Sequence, residues 1–317
     1  MNEQTITDYS ALIDAETWAF IRKSESWYPP ETANYSIEKQ REIYDALCQA
    51  FHRGHPHGVV TEDVAFGHVP CRKYELGPSP ITLIYFHGGG FVVGGLNSHD
   101  DICAEICAAT GYRVISVDYR LAPEYPHPAA FEDALAATQA IALAFDSPLI
   151  LVGDSAGGNL AAAVSSHSRT TARPIIGQAL VYPGLGGDLS KGSYIKHAHA
   201  PMLTLADMEF YSRIRFPGGI AQISDTTASP LVDGDFAGLP PTLVISAQCD
   251  PVCDDGQLYC AAIQAAGGLA HFHEEKGLVH GYLRARGSVT RAMVSFVRLT
   301  QGISALGRRE FPWRVTL

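Results

Sequence analysis

The chain has 317 residues, 46% hydrophobic and 18% charged, a balance that excludes a disordered or fibrous protein and suits one large core carrying an insertion. Its formal net charge of -10 repels polyanions and argues against nucleic acid or an anionic membrane as partner. The opening Met1-Asn2-Glu3-Gln4-Thr5 has no basic or apolar leader region, and no apolar run approaches the roughly 18 residues of a membrane helix, so a cytoplasmic protein without membrane insertion is expected.

In chain order, helical spacing around Trp18, Phe20, Ile21 and Trp27 marks residues 1–50 as a helical cap segment ahead of a main domain over 51–317. From Ile81 onward, short apolar runs alternate with helical stretches. That is the pattern of a mainly parallel sheet covered by helices on both faces. Ile81–Phe86 is β-branched and aromatic, too short for a helix, and reads as a buried strand. His87-Gly88-Gly89-Gly90-Phe91 follows it. Glycine allows backbone turns that point amides at a developing oxyanion, so Gly88, Gly89 and Gly90 are candidate donors. A phosphate loop fits poorly, because glycines at 88, 90 and 94 do not make G-x-G-x-x-G.

Arg113–Val117 reads as the next strand and Pro148–Val152 as the third. Gly153-Asp154-Ser155-Ala156-Gly157 comes directly after, between that strand and the helix-prone Asn159–Ala163. A nucleophile on so sharp a turn needs neighbours almost free of side chains, a need Gly153 and Gly157 meet. Ala156 opens the helix, where its amide and the dipole favour a forming oxyanion. The bland alternative is a glycine-rich turn whose serine caps a helix.

Residues from about 185 to 228 lack a strand-like run and are rich in Gly, His, Tyr and Met. They read as an insertion over the carboxyl edge of the sheet, where open α/β sheets bind ligands. Thr242–Ser246 is the fourth strand, with Asp250 just past its end, and His271–Glu274 is strand-like again. Asp254 and Asp255 read as acids in the first turn of the following helix. His280 stands on a loop before a last helix from about Ser288 to Leu306.

Some patterns are decoys. Ser98-His99-Asp100 spells a triad in adjacent residues, which point apart on a helix; Asn97 or Ser98 before two aspartates reads as an N-cap. His197 with His199, and His271 with His273, lack a completing ligand set, so no metal and no cofactor is expected. Cys103 and Cys107, like Cys249 and Cys253, are separated by three residues, which is neither a zinc nor a redox spacing. Buried reduced thiols are expected for the seven cysteines.

From Ile81 onward the sequence resembles the hormone-sensitive-lipase-like esterases. The resemblance rests on His87-Gly88-Gly89-Gly90-Phe91, Asp118–Glu124, Gly153–Gly158, Tyr182-Pro183, Ser229-Pro230, Asp250–Asp254 and His280-Gly281-Tyr282. Val252 and Tyr282 stand where Leu and Phe are usual. The order Ser, Asp, His is also that of α/β-hydrolases. The resemblance implies an α/β-hydrolase fold with a helical cap and a carboxylesterase that cleaves short- to medium-chain acyl esters through an acyl-enzyme. It implies Ser155 as nucleophile, Asp250 as acid, His280 as base, and oxyanion donors among Gly88, Gly89, Gly90 and Ala156. The expected partner is a small-molecule ester, and homodimer formation stays open. An amidase or lactonase with the same triad is one alternative; a small-molecule receptor on a hydrolase fold is another, against which the retained His280 argues. Trp18, Trp27, Tyr194 and Phe210 are expected to crowd the site and favour short acyl chains.

Overall fold

The computed structural model describes residues 7–169, 174–219 and 224–310. Six strands run parallel: β3 (Thr82–Phe86), β4 (Arg113–Val117), β5 (Leu149–Asp154), β6 (Ile175–Val181), β7 (Thr242–Cys249) and β8 (Ala270–Val279). The hairpin of β1 (Val60–Phe66) and β2 (Val69–Glu75) adds to the β4 edge antiparallel. The sheet order is β1-β2-β4-β3-β5-β6-β7-β8, which meets the expectation of a mostly parallel sheet.

Strands β3, β4, β5 and β7 start within a residue of the apolar runs that announced them. β1, β2 and β6 had no such run. β1 is largely exposed and reads Val-Thr-Glu-Asp-Val-Ala-Phe, while β6 carries Gly177 and Gln178 in its middle. Edge exposure and a small residue under a helix erase the hydrophobic signal that a buried strand gives.

Side chains alternate across each strand, and this divides the interior. Leu83, Tyr85, Val114, Ile150 and Val152 pack with Ile102, Cys103 and Ile106 of α3 (Asp100–Thr110) and Phe296, Leu299 and Ile303 of α9 (Thr290–Gly307). On the other face, Ile84, Phe86, Ile115, Leu149 and Leu151 pack with Ala134, Ala137 and Ile141 of α4 (Ala129–Ala144) and with Leu160 and Val164 of α5 (Ala156–His167). α8 (Cys253–Ala265) joins this second core through Tyr259, Cys260 and Ile263. All seven cysteines are free and buried.

Two N-terminal helices, α1 (Ala15–Trp27) and α2 (Ile37–Phe51), start at Asp14 and Ser36, whose side chains accept from Thr17 and Lys39 amides. The stretch between β6 and β7 contains α6 (Gly192–Lys196) and α7 (Leu205–Arg215). A third apolar cluster joins these outer parts: Tyr44, Cys48, Val92, Val93 and Ala122, with Tyr28, Ile37, Tyr211 and Ile214 against them. Arg41 of α2 adds polar ties, donating to the carbonyls of Val92 (2.9 Å) and Ala122 (3.0 Å) and pairing with Glu124 at 2.7 Å.

α3 does not start as the sequence suggested. Its N-cap is His99, without a side-chain cap bond, because a short 3-10 turn over Leu96–His99 precedes it and uses Ser98 on Gly95. Asp254 and Asp255 stand in the first turn of α8 as expected, but neither caps it; the N-cap is Val252, without a side-chain bond. Rather than serving their own helix, Asp254 accepts from the Ser193 amide (2.8 Å), and Asp255 from the Leu185 amide (2.7 Å) and the Tyr194 hydroxyl (2.8 Å). Both carboxylates thus tie the segment after β6 to the start of α8.

Candidate active site

β5 ends in a turn that forces Ser155 to φ +52 and ψ -118, a conformation non-glycine residues rarely adopt. The surroundings over-determine it. A Cβ at Gly157 would stand 1.9 Å from the Phe86 carbonyl oxygen, and one at Gly153 2.3 Å from that of Gly157. Only glycine fits either place, so the strand can turn directly into α5 with Ser155 at the corner. The Ser155 amide donates to Val181 at 2.9 Å and anchors the corner to β6.

Parallel strands bring their carboxyl ends to one edge, and three residues selected from the sequence meet there. Ser155 Oγ lies 2.8 Å from His280 Nε2, and His280 Nδ1 lies 2.7 Å from Asp250 Oδ2. Asp250 is fully buried, and its other oxygen accepts from the Val252 amide at 3.1 Å. The Tyr182 ring packs on the imidazole at 4.7 Å between centroids. Ser155 and His280 stay partly exposed, which leaves a path to the hydroxyl.

The glycine loop starts against the same turn, where a Cβ on Gly157 would meet the carbonyls of Phe86 and His87. Gly89 (φ +129) closes a turn by accepting from the Val92 and Val93 amides, and a Cβ on it would strike the Val93 carbonyl. Among the described residues no acceptor takes the amides of Gly89, Gly90 or Ala156. Gly88 departs from expectation: its amide is already bound to Asp154 Oδ1 at 3.0 Å. Sequence spacing could not separate the three glycines, because the carboxylate that claims one of them lies 66 positions away.

Asp154 is the hub beneath the turn. Besides Gly88 it accepts from Tyr85 (2.8 Å), from Tyr182 (3.4 Å) and from His99 Nε2 (3.3 Å). Burial alone would raise its pKa, but His99, Tyr85 and the more distant Arg284 hold it well below the usual carboxylate range. His87, by contrast, is pushed down to about 4, first by burial and then by His99. It is a neutral ring stacked on Tyr119 at 4.2 Å.

Neither suggested histidine pair forms a metal site; His197 meets Tyr9 (3.2 Å) and His273 lies 3.6 Å from Glu275. Among the described residues, His52, His55 and Asp100 are the group close enough to ligate an ion. The donors there are committed: Asp100 also binds Arg72 (3.0 Å) and Tyr74 (2.8 Å), and His52 Nδ1 accepts from the Gly54 amide. A guanidinium so near repels a cation.

The aromatic residues named from the sequence have varied surroundings. Trp18 packs partly buried on the first core, Trp27 is 45% exposed, Tyr194 donates to Asp255, and Phe210 meets the Tyr211 ring edge-on at 5.5 Å between centroids. Tyr211 meets the glycine loop at Gly90, and its hydroxyl lies 3.2 Å from that of Tyr28. Only a long-range pairing selects them, and no local pattern carries it.

Residues 83–284 match the family model of the alpha/beta hydrolase fold. Esterase LipI of Mycobacterium tuberculosis is 40% identical over 224 residues, which cover 68% of this chain and 69% of that one. The ethyl acetate hydrolase of Pseudomonas putida is 32% identical over 231 residues, 70% of this chain and 72% of that one. Among solved structures, the ester hydrolase EH1AB1 from the Lake Arreo metagenome, complexed with a bipyridine phosphonate derivative, superposes with a TM-score of 0.84 at 28% identity, covering 94% of this chain and 99% of that one.

Proposed function

The chain belongs to the alpha/beta hydrolase family as an enzyme of the carboxylesterase kind, and on that premise we propose that it cleaves short- to medium-chain acyl esters through Ser155, His280 and Asp250. The observation that carries this reading is the continuous pair of bonds, 2.8 Å from Ser155 Oγ to His280 Nε2 and 2.7 Å from Nδ1 to Asp250, beside amides with no acceptor.

In the first half-reaction Ser155 Oγ forms a bond to the ester carbonyl carbon while its proton passes to His280 Nε2. The buried charge of Asp250 stabilises the imidazolium and keeps Nδ1 protonated. Negative charge then builds on the carbonyl oxygen, where the amides of Gly89, Gly90 and Ala156 and the start of α5 receive it. The carbon–oxygen bond to the alcohol breaks, and Nε2 returns the proton to the leaving oxygen. Water next gives a proton to His280 Nε2 and attacks the acyl carbon; the bond from that carbon to Ser155 Oγ then breaks, Nε2 returns the proton to Oγ, and the acid leaves. Residues 1–50 and about 185–228 act as the cover of this site.

The test is a comparison of ethyl butyrate with its amide, N-ethylbutyramide, following acid release. The ester should turn over at least about a hundredfold faster. Equal or faster cleavage of the amide would favour the amidase alternative.

A further inference from the structure

α7 reaches the glycine loop through two residues one helical turn apart. Tyr211 lies against Gly90: a Cβ there would stand 2.8 Å from Tyr211 Cγ. Four residues on, the Arg215 guanidinium lies 3.5 Å from the centroid of the Phe91 ring. Positions i and i+4 share one helix face. That face of α7 is therefore seated on the loop that carries Gly89 and Gly90. From the other covering segment, Tyr28 at the end of α1 brings its hydroxyl to 3.2 Å from that of Tyr211. Both rings also pack on the cluster of Tyr44, Val92 and Val93.

We propose that Tyr211, held in place by Tyr28, sets the substrate length this esterase accepts. The inference rests on the Ser155 reading above. A carbonyl oxygen bound by the Gly89 or Gly90 amide lies about 3 Å from that loop, so the groups attached to the carbonyl extend alongside the Tyr211 ring. Tyr211 is the stop that ends this space. The hydroxyl pair matters because an unheld tyrosine on α7 would swing aside for a longer chain, and the stop would be lost.

The experiment measures kcat and KM for p-nitrophenyl esters from acetate to decanoate on the wild type, Tyr211→Ala, Tyr211→Phe and Tyr28→Phe, with each enzyme's active fraction titrated by a fluorophosphonate. Removing the ring should raise the decanoate-to-butyrate ratio of kcat/KM by at least about tenfold, mostly through KM, since even one methylene in a pocket carries about that much discrimination. Tyr28→Phe and Tyr211→Phe both delete the hydroxyl contact and keep the rings; each should move the ratio the same way by about two- to twelvefold, the share assigned to a single neutral hydrogen bond. If Tyr211→Ala does not fold, Tyr211→Leu takes its place with the same expected direction. A folded, labelling variant whose ratio stays within about twofold of wild type, or whose kcat falls equally for every chain length, overturns the proposal. Failure of the underlying reading looks different: wild-type protein would then not label at Ser155.

Discussion

Two Ser–His–Asp chains run through the described residues, and the proposed chemistry uses only one of them. In the outer chain, Ser155 meets His280 Nε2 and Asp250 meets Nδ1. In the inner one, Ser98 Oγ lies 2.8 Å from His99 Nδ1 and Asp154 lies 3.3 Å from Nε2. The inner serine is 5% exposed and its histidine 1%. Ser98 Oγ also directs its proton at the Gly95 carbonyl, 2.8 Å away, and accepts from the Gly95 amide. It has no proton to give His99. Asp154, with its four partners, holds Gly88 and thereby the floor of the glycine loop. In the proposed reading the same three residue types thus serve as a reactive site in one place and as a clamp in another. What separates them is an accessible hydroxyl on a strained turn with unclaimed amides beside it.

The largest contrast comes from deleting each serine hydroxyl. Ser155→Ala should lower kcat by about 10⁶ without loss of fold, since it removes one partly exposed atom group. Ser98→Ala should leave kcat within about tenfold and instead lower Tm by several degrees, because a buried hydrogen-bonded hydroxyl contributes on the order of 1–3 kcal/mol. Parallel assays on p-nitrophenyl butyrate and thermal melts decide the matter; an inactive Ser98→Ala with an unchanged Tm would reverse the assignment.

The acids divide in the same way. Asp250→Asn should reduce kcat by about 10⁴ through loss of the imidazolium's counter-charge. Asp254→Asn, which touches Ser193 rather than His280, should stay within about tenfold. If the Asp254 variant is the inactive, folded one, the outer chain carries the wrong acid.

Much of this was readable in the sequence, for a physical reason. Ser155, Asp250 and His280 each stand just past a strand end, and glycines at 153 and 157 are demanded by contacts under 2.5 Å; such constraints act over a few residues and leave a local mark. Tyr211 on Gly90, Arg41 on Val92 and Asp154 on Gly88 join segments 51 to 121 positions apart. Nothing in a window of neighbouring residues records them. The proposed reacting groups could therefore be selected from local pattern, whereas the contact of Tyr211 with Gly90 and its pairing with Tyr28 could not.

A smaller effect concerns Asp255, which burial pushes up to about 6 despite its bonds to Leu185, Tyr194 and Gly187. Its native pKa lies above the unfolded value of about 3.9. The stability it lends is accordingly complete below that unfolded value and is lost as pH rises through the native one. Asp255→Asn lacks this dependence, so the Tm of the variant relative to wild type should climb between pH 4 and pH 8. Melts of both proteins across that range check it, and a constant difference would mean that Asp255 titrates normally.

Ser155, and not Ser98, is the proposed nucleophile. Peptide mapping by mass spectrometry after fluorophosphonate treatment of the wild-type protein tests it most directly. A single adduct on the peptide containing Ser155, absent from Ser155→Ala and retained in Ser98→Ala, is the predicted result. An adduct on Ser98, or none on Ser155 under conditions that label other serine esterases, would contradict it.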